Sequence, residues 1–194
     1  AISEALPQVI PAEGAGALWN FHVSARSTGL NPDLPPREIL MFNSGGTGAR
    51  PPLDGLNATG FPSGVRTMSV EATEQSGPII IWRKELRPES GGDGLPRGGL
   101  GQVIELGPAD GYYFDFNCMF DRVSNPARGR QGGDDGAPGT VMLDNGTKLN
   151  AKGKQRIPGG RKLVLELPGG GGFGNPLLRD PSDITNDKTQ GYIE

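Results

Sequence analysis

Clusters of glycine set between short apolar runs constrain this chain more than any other feature. Residues 43–55 read Asn-Ser-Gly-Gly-Thr-Gly-Ala-Arg-Pro-Pro-Leu-Asp-Gly, and residues 85–101 read Glu-Leu-Arg-Pro-Glu-Ser-Gly-Gly-Asp-Gly-Leu-Pro-Arg-Gly-Gly-Leu-Gly. A third cluster, Pro-Gly-Gly-Gly-Gly-Phe-Gly-Asn-Pro, fills 168–176. Glycine weakens helix and strand interiors and suits turns and places where a ligand or another backbone comes close. With 33 glycines and 18 prolines in 194 residues, about a quarter of the chain, disorder is the alternative to weigh. Apolar runs such as Pro78-Ile79-Ile80-Ile81-Trp82 argue against it, because disordered chains lack them.

The expected fold class is therefore mainly β with minor helix (α+β), with short strands joined by long Gly/Pro-rich loops. Trp19, Phe21 and Val23 alternate with Asn20 and His22, as a half-buried strand does. A buried strand is expected at 39–42, and further strands at 65–71, 79–86, 102–106 and 163–167. In 112–120 the residues Tyr112, Phe114, Phe116, Cys118 and Phe120 share one face, with Asp115 and Asn117 on the other. Asn145-Gly146 suits a type I′ turn, which predicts a hairpin joining 140–143 to 147–150. A helical turn is expected at 3–6, a turn-rich stretch at Asn31-Pro32, and a short helix opening at Asp180-Pro181 and running to Lys188, with Gly191 past its end. Residues 1–38 read as an extended N-terminal segment and 39–194 as the β-rich body.

Net charge is -3 and no run of five like charges occurs, so neither nucleic acid nor an anionic membrane is indicated as a partner. No apolar stretch approaches transmembrane length, and no signal peptide is evident. The single Cys118 rules out an intrachain disulfide and points to a reducing, cytoplasmic setting. The 169–174 glycines mimic a dinucleotide fingerprint, but Pro176 stands where its helix must begin. The P-loop Gly-Lys-Ser/Thr ending is absent. One His and one Cys cannot build a zinc site of the usual kind. A hard-cation site from Asp54, Glu71, Glu74 or Glu85 stays open, beside the plainer reading of solvated or salt-bridged carboxylates. His22 is the only histidine, no Gly-x-Ser-x-Gly elbow is present, and Cys118 sits on an apolar strand face as a core residue.

What stands out is arginine inside the glycine loops: Arg50, Arg87 and Arg97. Glycine-rich backbone can converge its N–H groups on an anion, and arginine adds a planar fork for carboxylate or phosphate. The alternative is that these arginines pair with Asp54, Glu85 or Glu89 and stiffen the loops.

The first loop with Asp54-Gly55, then Glu71 and Glu74, then the second loop, then the 168–176 tail with Arg179-Asp180-Pro181, resembles the hydantoinase B/oxoprolinase family. The likeness runs over nearly the whole chain as four motifs in order. That family includes the B-type component of N-methylhydantoinase, the matching half of 5-oxoprolinase and the α subunit of acetone carboxylase, and its members are longer. The resemblance implies the C-terminal part of a B-type polypeptide that works with a hydantoinase A-type subunit and with the N-terminal part of the B-type polypeptide itself. ATP and Mg would be bound mainly by the partner, with any divalent metal elsewhere in the complex. It implies ATP-dependent opening of a cyclic amide, or alternatively carboxylation of a ketone, or a purely structural part of such a complex. The residues it marks for catalysis are Arg50, Asp54, Glu71, Arg87 and Arg97, and those for cradling a cofactor's anionic groups are Gly45, Gly46, Gly48, Gly91 and Gly92. The isolated chain is expected to be inactive.

Overall fold

The structure is a computed structural model and describes residues 11–16, 19–29, 33–60 and 68–194. The helical turn expected at 3–6 and the Asn31-Pro32 turn lie outside those residues. Among the described residues eight strands form: β1 (Phe21–Ser27), β2 (Arg37–Met41), β3 (Ile79–Leu86), β4 (Gln102–Pro108), β5 (Tyr112–Met119), β6 (Thr140–Leu143), β7 (Lys152–Ile157) and β8 (Leu163–Glu166). They make two four-stranded antiparallel sheets, ordered β2-β1-β5-β7 and β3-β4-β8-β6. The helices are α1 (Val70–Gln75) and α2 (Pro181–Thr189), with a 3-10 turn at Pro176–Leu178 between β8 and α2. The β-rich expectation with minor helix holds.

Period-two alternation places the core. The Tyr112, Phe114, Phe116, Cys118 and Phe120 face is buried, and it meets Phe21, Val23 and Ala25 of β1 across the sheet. Ile104 and Leu106 of β4 and Leu163, Leu165 and Leu167 join the same core from the second sheet. Trp19 stacks on Phe120 with ring centroids 4.3 Å apart and its indole N–H donates to the Asp121 carbonyl. That gives a large apolar body its required polar partner.

Several local expectations need correction. The strand at 39–42 is not buried on both sides: β2 is an edge strand, with Leu40 53 % and Phe42 44 % exposed. Within 65–71, the described end is helical. Ser69 caps α1, its side chain accepting from the Ala72 N–H, and this local bond favours the helix over a strand. Residues 147–150 contribute a single bridge, Met142 to Lys148, rather than a strand. The turn is not type I′, because Gly146 (φ 82°) but not Asn145 has positive φ. The Gly146 N–H closes it on Leu143 O, and the Leu143 N–H to Thr147 O and Leu149 N–H to Val141 O bonds make a short hairpin on the edge of β6 away from β8. Strand β7 has no counterpart among the sequence expectations.

The glycine clusters do not form ordinary loops. Segments 11–16, 43–49 and 167–173 have no helix or strand of their own and bond laterally, while 90–101 and 127–137 double back through Gly98 N–H to Gly92 O and Gly136 N–H to Ala127 O and bond laterally on either side of the turn. Gly46 N–H donates to Pro168 O, Gly99 N–H to Thr47 O, Gly170 N–H to Gly99 O, Gly92 N–H to Gly170 O and Ala49 N–H to Gly171 O, all at 2.8–3.0 Å. Gly169 lies against Ser90 and Gly172 against Asp93, a shift of three residues on both segments. Returning to the same neighbour after three residues is the habit of a polyproline II rod, which has no internal hydrogen bonds and must find them outside itself. A Cβ on Gly170 would sit 1.9 Å from Thr47 O, and one on Gly169 1.7 Å from Ser90 O. Neither glycine has positive φ. Glycine is required here by backbone-to-backbone contact rather than by conformation.

Buried polar side chains complete the bundle. Thr47 Oγ1 accepts from Leu56 N–H, Ser90 Oγ from Gly101 N–H and Asn57 Oδ1 from Leu100 N–H, while Gln102 donates to Ser44 O. Each satisfies a backbone group that burial would otherwise penalise.

Candidate functional site

The bundle edge carries a cavity of about 330 Å³, within the range of small-molecule sites. It is lined by residues 11–16 and 44–48 together with Arg50, Thr59, Gly60 and Arg122. Glu13, also in the wall, is the hub of an ionic cluster. Its Oε1 accepts from Arg128 and Arg130 (2.8 Å for Arg130 Nη2), and its Oε2 from Arg122 Nη1 at 3.0 Å and from the Arg128 backbone N–H. Burial alone would raise the Glu13 pKa. The Arg128 hydrogen bonds and the Arg122 and Arg128 charges outweigh it and hold the carboxyl at about 2.

A second cluster fastens the C-terminus to the bundle. Arg179 grips Asp54 with two bonds, Nη1 to Oδ1 and Nη2 to Oδ2, each 2.8 Å, and its Nη2 also reaches Asp187 Oδ2 at 2.7 Å. Arg97 Nε lies 3.1 Å from Asp187 Oδ1, without the alignment of a hydrogen bond, and its guanidinium lies over the Tyr192 ring at 4.9 Å. Burial pushes the Asp54 pKa up, but the Arg179 bond and charge bring it below the ordinary range; the same bond keeps Arg179 firmly protonated. Arg97, Arg179 and Asp187 are nearly inaccessible, with side chains 8 %, 8 % and 4 % exposed.

The residues marked in the sequence are thus divided. Arg50 faces the cavity, and its Nε and Nη2 hold the Asp54 carbonyl. Asp54 and Arg97 meet in the C-terminal cluster, where the Asp54 carboxylate also accepts the Arg97 N–H. Arg87 lies apart. It donates to the carbonyls of Pro138 and Leu167 and faces Glu166 at 3.6 Å. Glu71 sits exposed on α1. Gly45, Gly46 and Gly48 line the cavity; Gly91 and Gly92 lie inside the bundle. The N–H groups of Gly46 and Gly92 are spent on backbone carbonyls.

Sequence reading missed Glu13, Arg122, Asp187 and Arg179 as partners. Glu13 and Arg122 are 109 residues apart and Arg179 is 125 from Asp54; Arg179 and Asp187 are only eight apart, but of the four only Arg179 stood in a marked motif.

Among the described residues no three His, Cys, Asp or Glu side chains group as metal ligands. Asp54 is taken by arginine, Glu74 accepts from the Ile81 N–H, and Glu85 pairs with Arg83. These carboxylates do not form the hard-cation site considered above. No helix among the described residues is long and apolar enough to cross a membrane.

Two glycine-backed arginine clusters on a β body, with motifs in this order, define a recognisable class. The hydantoinase B/oxoprolinase family model matches residues 1–176, and the chain belongs to that family. A protein of Pseudomonas sp. (strain NS671) described as the B-type component of a D-/L-hydantoinase is 30 % identical over 200 residues, covering 99 % of this chain and 33 % of that one. Among solved structures, the ATP-dependent caprolactamase of Pseudomonas jessenii superposes with TM-score 0.81 at 23 % identity, over 100 % of this chain and 35 % of its own. A nucleotide-free acetone carboxylase structure superposes with TM-score 0.75 at 18 % identity, over 99 % and 30 %. Both establish the fold. The chain spans about a third of the length of these relatives.

Proposed function

We propose that this chain is the C-terminal part of a B-type subunit in an ATP-dependent cyclic-amide hydrolase, acting with an ATP-binding A-type subunit in the cytoplasm. The observation that carries the reading is the family match over residues 1–176, supported by a fold match of the whole chain to 35 % of a caprolactamase. The fold match to acetone carboxylase favours a second reading, an ATP-dependent ketone carboxylase component.

An unactivated amide is a poor electrophile. Transfer of the γ-phosphoryl group of ATP to its carbonyl oxygen, releasing ADP, makes the carbon electrophilic. Water then adds to the carbon, the C–N bond opens to leave an acyl phosphate and a free amine, and a second water hydrolyses the acyl phosphate to carboxylate and inorganic phosphate. The protein's task is to position the ring and stabilise negative oxygens. On this reading the ATP and Mg are held by the partner, and any metal by segments other than those described. Arg50, with Gly45, Gly46 and Gly48, is the part of this chain that faces a cavity of suitable size. Asp54, Arg87 and Arg97 act as positioning residues, because their charges are engaged inside the protein. Glu71 is assigned no role in the cavity.

The test is turnover by the assembled complex. Arg50→Ala should lower ATP-dependent ring opening at least tenfold while assembly, followed by size-exclusion chromatography, is unchanged. Unchanged turnover in an intact complex would remove Arg50 from the reaction. Dependence of product on bicarbonate would decide for the carboxylase reading.

A further inference from the structure

Around the cavity, positive charge is in excess. Among the described residues Glu13 is the one carboxylate in its wall, and it is met by Arg122, Arg128 and Arg130. Arg50 stands in the same wall. Asp135 lies near the exposed Arg128, and Asp121, beside Gly16, is paired with Lys152. Neither offsets Arg122 or Arg50.

Both arginines also keep donors in hand. Arg122 uses Nη1 for Glu13 and for Pro126 O, which leaves Nε and Nη2 without a hydrogen bond among the described residues. Arg50 uses Nε and Nη2 on Asp54 O, leaving Nη1 in the same position. Arg122 is moreover held at φ 60°, a left-handed conformation uncommon for a non-glycine residue, which persists where surrounding structure enforces it. Its Nε would be 3.4 Å from a Cβ on Gly16, so Gly16 leaves the guanidinium room to lie along the wall.

We propose that this cavity binds an oxyanion of a small molecule, a carboxylate or phosphate group, through the free donors of Arg122 and Arg50. Glu13 is the internal counter-ion that orients the arginine cluster without neutralising it. Guanidinium forks match both oxyanions in geometry, and the glycine-lined wall admits the ligand close to backbone. The site stands whichever reaction the assembly performs, and its test reads binding rather than turnover.

The experiment titrates inorganic phosphate and, separately, acetate into the purified protein at 0.15 M sodium chloride, followed by calorimetry and by amide chemical shifts. At least one ion should saturate, shifting amides of residues 13–16 and 45–48. Phosphate alone saturating assigns a phosphate group; acetate alone assigns a carboxylate. Arg122→Gln should weaken binding at least tenfold, and Arg156→Gln, on the far β7 strand, should leave it unchanged. If Arg122→Gln does not fold, Arg50→Gln carries the same expectation, since Arg50 is outside the Glu13 cluster. Absence of saturation by both ions, or binding that survives the arginine substitutions unchanged, overturns the proposal and leaves the cluster a structural clamp.

Discussion

Asp54 and Arg179, 125 residues apart, are joined by two hydrogen bonds of 2.8 Å each. Asp54 comes from the end of the first glycine loop and Arg179 from the segment that enters α2. Together with Arg97 and Asp187 they tie three of the glycine-bearing stretches into one unit, so the C-terminal segment works as a clasp across the bundle.

Removing the clasp's most buried carboxylate should therefore be costly. Asp187→Ala leaves Arg97 and Arg179 buried without their shared partner, a loss of about 3 kcal/mol or more. Denaturant unfolding should show a lower midpoint with unchanged slope. A change under 1 kcal/mol would mean that the cluster behaves as a surface ion pair.

Two glycines should fail for different reasons. Gly170→Ala places a methyl 1.9 Å from Thr47 O with no flexible side chain to yield, so the loss should exceed the roughly 1–3 kcal/mol of ordinary overpacking. Gly146→Ala meets open space and suffers only from φ 82°, a cost of about 1 kcal/mol. Thermal melts of the two variants should separate clearly.

The strands were largely legible because alternation is a local signal. The β5 face from Tyr112 to Phe120 is the clearest case. Strand β7 was not, since its residues Lys152, Gly153, Lys154, Gln155 and Arg156 are mostly exposed and only Ile157 is buried; an edge strand with one core residue carries no apolar period. The glycine clusters were visible, but not as rods, because their order lies in lateral backbone bonds between distant segments and no side chain records it. Of the candidate site, Arg50 with Gly45, Gly46 and Gly48 could be marked from the sequence. Glu13 and Arg122 could not: they lie 109 residues apart, in stretches with no motif.

Stability should fall in acid through Glu13. Its carboxyl is held at about 2 in the folded protein against an ordinary 4.5. A depressed folded pKa contributes stability that is complete above 4.5 and disappears as pH falls toward 2. Unfolding free energies measured from pH 6 to pH 2 should decline through that window. In Glu13→Gln the decline should be shallower, with the part due to Asp54, whose pKa is also lowered, remaining. Equal slopes in both proteins would show that Glu13 gains nothing from its arginines.

Cys118 should be inert in the native state. Burial pushes its thiol up to about 11, and Sγ lies 3.3 Å from the Ala151 carbonyl inside the core. Alkylation at pH 8 should be slow when folded and fast in denaturant. Fast native labelling would place Cys118 at the surface.

The most direct test of the proposed function is ATP-dependent ring opening by this chain combined with the remainder of a B-type polypeptide and an A-type subunit. The measurement follows ADP and ring-opened product from hydantoin, 5-oxoproline and caprolactam, with and without bicarbonate. Product should form from at least one cyclic amide, in step with ADP and without a bicarbonate requirement, and the isolated chain should form no ADP. ADP release by the isolated chain, or an assembled complex that opens none of the three rings when ATP is supplied, would contradict the proposed function.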